Sequence, residues 1–436
     1  MTPTAGLTIG LKMKKSKYLP RIYDSLLSWR IDTKGAVLVE GPKWCGKTST
    51  CEQLARSAVY MQDPRLREQY QRLAQLDPSR LLEGGTPRLI DEWQVAPKLW
   101  DAVRYEVDRR NSFGQFILTG SAVPADLDEM EHSGTGRIAR MKMRPMTLME
   151  SGDSTAEISL LDLFDGAAPL VDAPDSLEEL AFLICRGGWP KAVGLSPRVA
   201  LQQAVDYVDA IAEVDISRVD KVNRDATKTR LLLRSYARMS ASQGSLASMR
   251  ADMDGGDASL GEDAFLEYVA ALRKLFVIED LPAWNVNLRS KTAVRTSPTR
   301  HFVDPSIATV ALGASPTRLI GDLNTMGLLF ETLCVRDLRV YAEACDGRVY
   351  HYRDKANREV DAVVVLRDGR YGLIEIKLGG DELVAEGAKS LLEVSNAIDQ
   401  RKAGSPSFLM VLTGTGSFSY PREDGVLVVP LRCLGV

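Results

Sequence analysis

Apolar positions outline the elements of this chain before any chemistry is considered. Ala36-Val37-Leu38-Val39-Glu40 is a short continuous apolar run that predicts a buried strand. A Gly-rich turn follows, then a helix over about 47–57. Arg88-Leu89-Ile90-Asp91-Glu92 predicts a second strand, residues 99–110 a helix, and Gln115-Phe116-Ile117-Leu118-Thr119 a third strand. Strands alternating with helices imply a parallel sheet covered by helices.

The pattern then changes. Residues 153–179 turn acidic and loop-like, and 176–310 are mainly helical: Leu201, Ala204, Val205, Val208 and Ile211 recur at helical spacing. Residues 246–284 predict helix, helix and a strand at 274–281, with a loop at Asp252-Met253-Asp254-Gly255-Gly256-Asp257. That order suits a winged-helix-like module, as it suits other small helical domains. From about 317 the α/β pattern returns. A helix at 327–341 precedes strands at 348–353, 359–366 and 370–378, a helix at 382–399, and strands at 407–412 and 426–430. The expected division is an arm 1–16, an α/β core 17–175, a helical middle 176–310 and an α/β end 311–436.

Composition narrows the class without naming it. The 436 residues are 45% hydrophobic and 26% charged, which suits several packed cores and excludes a wholly disordered or collagen-like chain. The net charge of −3 announces no nucleic-acid partner, although a local patch would escape a total. Cys45, Cys51, Cys185, Cys334, Cys345 and Cys433 are scattered without a CxxC pair, and there are three histidines. Neither a zinc site nor a disulfide framework is expected. No apolar run is long enough to span a bilayer. The basic cluster of the first 16 residues follows its apolar stretch, the reverse of a signal peptide. The expected setting is the cytoplasm, with no membrane partner.

The first chemical signal is Gly41-Pro42-Lys43-Trp44-Cys45-Gly46-Lys47-Thr48, a complete GxxxxGK[ST] between a predicted strand and a predicted helix. Glycines let the backbone curl its N–H groups toward phosphate oxygens, and the helix N-terminus, through Ser49, adds a favourable dipole. Lys47 is placed for the β- and γ-phosphates of ATP and Thr48 for Mg2+. Asp91, at the end of an apolar strand expected beside the phosphate strand, suits Mg2+ through water. The adjacent Glu92 suits polarisation of the attacking water. Thr119 and Ser121 end the third strand and are candidates for sensing the γ-phosphate or orienting that water. After a mobile-looking stretch, 125–136, comes Gly136-Arg137. Arg137 is either a finger for the nucleotide, in cis or on a neighbouring subunit, or a plain surface residue.

These residues, with Ile90-Asp91-Glu92-Trp93-Gln94, Leu99-Trp100 and Phe116-Ile117-Leu118-Thr119-Gly120-Ser121-Ala122, resemble a family of bacterial and archaeal AAA+-type ATPases. In that family the ATPase core precedes a long C-terminal half of unknown function. Arg186-Gly187-Gly188-Trp189-Pro190 is similar to the family's Gly-Gly-aromatic-Pro element. By analogy with related ATPases that element lies near the nucleotide base. The resemblance implies ATP and Mg2+ at the residues already named. It makes a ring-like homo-oligomer one assembly to expect and leaves a monomer as the other.

A second signal is Glu359-Val360-Asp361 followed by Glu375-Ile376-Lys377. Its spacing resembles the PD-(D/E)xK restriction-endonuclease-like superfamily. The resemblance implies that Asp361 and Glu375 bind a second Mg2+, that Glu331 joins them from the preceding helix, and that Lys377 supports the attacking water. Val360 stands where the superfamily's name has proline. The two strands meet at Asp368-Gly369, and the register decides the site. A two-residue turn places Asp361 and Glu375 on opposite faces. A three-residue loop, Arg367-Asp368-Gly369 with Gly369 left-handed, pairs Leu366 with Arg370 and sets Asp361 opposite Glu375 and Lys377 opposite Glu359. It also gathers Val360, Ala362, Val364, Ile374 and Ile376 on one apolar face, so the hydrophobic pattern favours it.

Residues 215–238 hold seven cations (Arg218, Lys221, Arg224, Lys228, Arg230, Arg234, Arg238) against Asp215, Asp220 and Asp225, a local +4. The stretch suits contact with DNA or RNA phosphates, or a solvated helix face with intrahelical pairs such as Asp220–Arg224. The whole suggests an α/β ATPase: a P-loop AAA+-type core, a helical, winged-helix-like middle and a restriction-endonuclease-like end that binds or cleaves nucleic acid. The alternative is an ATP-gated switch or scaffold in which the nuclease-like fold is inert.

Overall fold

The computed structural model describes residues 18–122, 133–254, 259–285 and 297–436. The expected arm 1–16, most of the stretch 125–136 and part of the loop 252–257 lie outside the described residues. The chain folds as an α/β protein. Five strands, β1 (Ala36–Glu40), β2 (Ser57–Tyr60), β3 (Arg88–Asp91), β4 (Phe116–Gly120) and β5 (Ile138–Lys142), form one sheet in the order β2-β3-β4-β1-β5. Every neighbouring pair is parallel. A parallel sheet is covered on both faces, which is why β1 and β4 are apolar along their length. Val37 and Val39 pack toward helices Ile22–Thr33 and Lys47–Leu54, while Ala36 and Leu38 pack toward helix Leu99–Arg110.

Two expectations change here. The helix from Lys47 stops at Leu54, and residues 57–60 are the edge strand β2, short and half-exposed, with no apolar run to announce it. Moreover β3 is not beside β1. β4 lies between them, which brings Thr119 between the phosphate strand and Asp91.

The middle of the chain is helical: Leu177–Arg186, Pro197–Ala210 continuing into a π-helical turn Ile211–Asp215, Ala226–Arg238, Leu246–Ala251 and Glu262–Lys274. The expected strand 274–281 does not form. Its first residue ends a helix, Phe276 turns the chain at φ +58°, and single bridges follow at Ile278↔Phe302 and Leu281↔Thr299.

The end of the chain begins with the 22-residue helix Leu323–Ala344. Strands β7 (Gly347–Arg353), β8 (Glu359–Leu366), β9 (Tyr371–Lys377), β10 (Phe408–Thr413), β11 (Tyr420–Pro421) and β12 (Leu427–Pro430) make a sheet in the order β11-β12-β10-β9-β8-β7. β7, β8 and β9 are antiparallel, and β10 joins parallel to β9 after helix Asp381–Ala397. One face of this sheet packs on that helix. The other shares a continuous core with the helical middle, from Trp189 and Tyr236 through Phe330 to Ile374. The stretch 153–179 is not wholly loop. β6 (Ile158–Ser159) pairs with β13 (Leu434–Gly435) near the chain's end, and helix Leu160–Phe164 follows. Among the described residues no helix is long and apolar enough to cross a membrane.

Candidate functional site

The phosphate loop leaves the carboxyl end of β1 and runs into helix Lys47–Leu54. Gly41 sits at φ +153° with its N–H on the Gly120 carbonyl, and a Cβ there would lie 2.1 Å from the Met143 carbonyl oxygen, so only glycine fits. Gly46 (φ +100°) caps the helix. Trp44 also has positive φ, +66°, and its half-exposed ring lies 5.8 Å from Tyr207, which stacks at 4.1 Å on buried Trp189. Pro42 and Cys45 are buried under the loop, and Ser49 is exposed in the first helical turn. Lys47 is 5% exposed, and its ammonium donates to the carbonyls of Gly41 (2.9 Å) and Pro42 (2.7 Å). It is folded over its own loop, where the phosphates of a nucleotide would compete for it.

The carboxyl ends of β3 and β4 bring the other candidates to this loop. Thr48 Oγ1 donates to Asp91 Oδ1 at 2.7 Å, and Thr119 Oγ1 donates to the same oxygen at 2.7 Å. Thr119 also accepts the Glu92 N–H. Glu92 adopts the left-handed conformation (φ +57°), and its Oε2 accepts from Ser121 Oγ (2.8 Å) and Gln94 Nε2 (2.5 Å). A hydroxyl and a carboxylate in contact form a hard-oxygen pair of the kind Mg2+ takes.

Arg137 is not among them. It precedes β5 at the amino edge of the sheet, where its carbonyl accepts the Ala36 N–H, and its guanidinium pairs with Asp108 at 2.9 Å. The phosphate loop leaves the opposite edge, about 16 Å away at five residues of strand. The in-cis finger is therefore corrected: the pattern around Gly136-Arg137 carries no information about which edge of the sheet it reaches.

Several residues with no local motif complete the region. Arg21 is buried, donates to the Cys45 carbonyl at 2.6 Å, and pairs with Glu150 at 3.0 Å. The capping box Thr147-x-x-Glu150 was the one sequence signal near this pair. Lys43 pairs at 2.6 Å with Asp215, the last residue of the π-helical turn, so the helical middle is latched to the phosphate loop. A Cβ on Gly46 would lie 3.5 Å from Pro190 Cγ, which places the Gly-Gly-Trp-Pro element over the loop. On its far side the same element meets the long helix. The Gly188 N–H and the Arg336 guanidinium both donate to Asp304 Oδ2, and Arg336 also pairs with Asp337. Glu331 lies on that same helix.

The second cluster forms on the hairpin of β8 and β9. The Leu366 N–H donates to the Arg370 carbonyl, Gly369 has φ +94°, and the ladder runs Ala362↔Ile374 to Val365↔Tyr371. This is the three-residue loop, and its register carries Asp361 opposite Glu375. Val360 departs from expectation. Pairing with β7 shifts by one residue between Tyr350↔Val363 and Tyr352↔Val360, and this bulge turns Val360 to the helix-covered face while Ala362 and Val364 face the core.

Burial, then repulsion from Asp361 and Glu375, holds the Glu331 carboxyl well above the usual carboxylate range. Burial, then repulsion from Asp361, does the same to Glu375, and burial raises Asp361. Against burial, the charges of Glu375 and Asp361 hold the Lys377 ammonium above its ordinary value. The four groups thus feel one another, but their oxygens are turned to protein partners. Asp361 accepts the Ile376 N–H (2.7 Å), Glu375 meets Ser390 (3.1 Å) and Lys377 (3.2 Å), and Glu331 faces His301 at 3.9 Å. Among the described residues no group of three or more His, Cys, Asp or Glu side chains is gathered as a metal would require.

The basic stretch 215–238 is largely engaged internally: Arg224 with Asp220, Arg230 with Asp209 and Glu213, Arg238 with Asp252. Arg218 and Lys221 line a cavity of about 960 Å3 whose wall also includes Lys43, Glu92 and Ser121.

Comparison with known proteins finds an AAA domain over the stretch that holds the first of these sites. Residues 33–151 match the model of an AAA domain, 177–318 a domain of unknown function (DUF8612), and 326–434 another domain of unknown function (DUF4143). Uncharacterized proteins of Mycobacterium tuberculosis and Mycobacterium bovis are each 24% identical over 399 residues, covering 90% of this chain and 79% of theirs. Among solved structures, a Walker-type ATPase of Pyrococcus abyssi is similar at 13% identity and a TM-score of 0.40, over 68% of this chain and 97% of that one. The chain carries a P-loop, AAA-type ATPase core.

Proposed function

We propose that this core binds and hydrolyses Mg·ATP and that its nucleotide state governs a nuclease-like C-terminal domain that binds or cleaves nucleic acid. The observation that carries the first half is the convergence of Lys47, Thr48, Asp91, Thr119 and Glu92 from three strand ends. Thr48 and Asp91 would hold Mg2+, which supplies charge neutralisation between the β- and γ-phosphates. Lys47 leaves its carbonyls for the phosphates. Glu92, its carboxylate steadied by Ser121 and Gln94, orients and polarises the attacking water. Thr119 ties the Asp91 carboxylate to the Glu92 backbone.

The second half draws support from Asp361, Glu375, Lys377 and Glu331 sharing one region, and from the long helix. That helix carries Glu331 toward the cluster and Arg336 toward the element above the phosphate loop. In the same reading helices Leu246–Ala251 and Glu262–Lys274, with the bridges at Ile278 and Leu281, form the winged-helix-like unit of 246–284. The rival, an ATP-gated scaffold, is favoured by one specific observation: the carboxylates of the cluster are turned to protein partners.

The test has two arms. Phosphate release from Mg·ATP is expected from the intact chain and lost in Lys47→Ala, and turnover that survives Lys47→Ala refutes the ATPase. Plasmid nicking with Mg2+ or Mn2+ is expected from the intact chain and lost in Asp361→Asn. Intact ATP turnover with no nicking in either metal would establish the scaffold instead.

A further inference from the structure

We propose that the cavity between the first sheet and the helical middle binds single-stranded nucleic acid through its phosphates, directly beside Glu92. Of the phosphate loop 41–48 the cavity, about 960 Å3, is lined by Lys43 alone, so it opens beside the nucleotide cradle, on the side where Glu92 and Ser121 form its wall. Arg67 and Lys98 reach it from the core and Arg218 from the middle. All three are exposed, and among the described residues none has a carboxylate partner. This contrasts with Arg224, Arg230 and Arg238 of the basic stretch, each engaged in an ion pair. Cations left unpaired on facing walls of one cleft focus a positive potential into it, although the chain as a whole is −3.

The lining also says which polyanion fits. Gln62, Gln71, Gln75 and Gln94 offer both donors and acceptors. Base edges present both kinds of partner at every residue of a strand, whereas the carboxylates of an acidic peptide accept only and leave its backbone amides as the sole donors. No aromatic side chain lines the cavity, so the grip is on phosphates and indifferent to sequence. The inference rests on the ATPase reading for its consequence. Gln94 both lines the cavity and donates to the Glu92 carboxylate, so a strand that takes the Gln94 amide changes how that carboxylate is held and with it the turnover rate.

The measurement is fluorescence anisotropy of a labelled oligothymidylate with the full chain carrying Lys47→Ala, which keeps hydrolysis out of the signal. Binding is expected at low salt, with log affinity falling by roughly 2 per log unit of salt for three phosphates neutralised on a single strand. Lys98→Glu with Arg218→Glu should weaken binding at least about tenfold and flatten that slope. Arg234→Glu, exposed but off the cavity, should leave both unchanged. Absence of binding at low salt overturns the proposal, as does an affinity indifferent to the double reversal in a protein with unaltered melting. Displacement by polyglutamate at equal charge would reassign the cleft to acidic protein and overturn it too. A wild-type chain that binds the oligonucleotide yet never hydrolyses ATP would refute the ATPase and leave this site standing.

Discussion

At the residue scale the phosphate loop is held together by contacts that a nucleotide must exchange. Lys47 donates to two loop carbonyls, and Lys43 is paired with Asp215 from another part of the chain. The pattern GxxxxGKT made Lys47 and Thr48 legible because the motif is contiguous and its chemistry needs no long-range information. Asp215, Gln94 and Arg21 were not legible, because each acts through a partner far off in sequence or through the shape of a turn. Histidines give a separate residue-scale prediction. Burial lowers the His351 pKa to about 4, with its ring against the Ser297 carbonyl. Its folded value lies below its unfolded one, so the stability it confers is full above pH 6.5 and is lost as pH falls toward 4, by about 3 kcal/mol in all. Urea unfolding at pH 7 and pH 5 should show the loss in wild type and a smaller one in His351→Gln. Equal losses in both would contradict it.

At the element scale the decisive features are strand order and register. The hairpin of β8 and β9 was legible because alternation of Ala362, Val364, Ile374 and Ile376 fixes which residues face the core, and Gly369 supplies the left-handed turn. Val360 was not, because the bulge that turns it is dictated by β7, which shares no local pattern with it. β2 was missed for a related reason: Ser57-Ala58-Val59-Tyr60 is an edge strand with one buried residue. Arg137 was misplaced because the distance from a strand's start to the phosphate loop depends on sheet topology. The Gly187-Gly188 turn is one place where elements approach closely. A Cβ at Gly188 would lie 2.1 Å from the Met146 carbonyl oxygen and 2.9 Å from the Arg336 guanidinium. Gly188→Ala should therefore cost about 1–3 kcal/mol by overpacking, read as a lower urea midpoint with an unchanged slope. A midpoint equal to wild type would show that this junction yields freely.

At the scale of the whole molecule, the helical middle is the part that touches everything. It latches the phosphate loop through Asp215, contributes Arg218 to the cleft beside Glu92, and shares its core with the C-terminal sheet. The long helix Leu323–Ala344 extends that contact, with Arg336 at the junction and Glu331 beside Asp361 and Glu375. Under the proposed function this arrangement is the route by which ATP would reach the far end of the chain, through the Lys43–Asp215 pair. All of this depends on the core doing chemistry. The direct measurement is ATP binding and phosphate release by the intact chain and by Glu92→Gln. The account predicts that Glu92→Gln keeps ATP affinity while phosphate release falls by about 10²–10⁴-fold, the range of a general base. Release within about twofold of wild type would show that Glu92 does not serve the attacking water, and would contradict the mechanism.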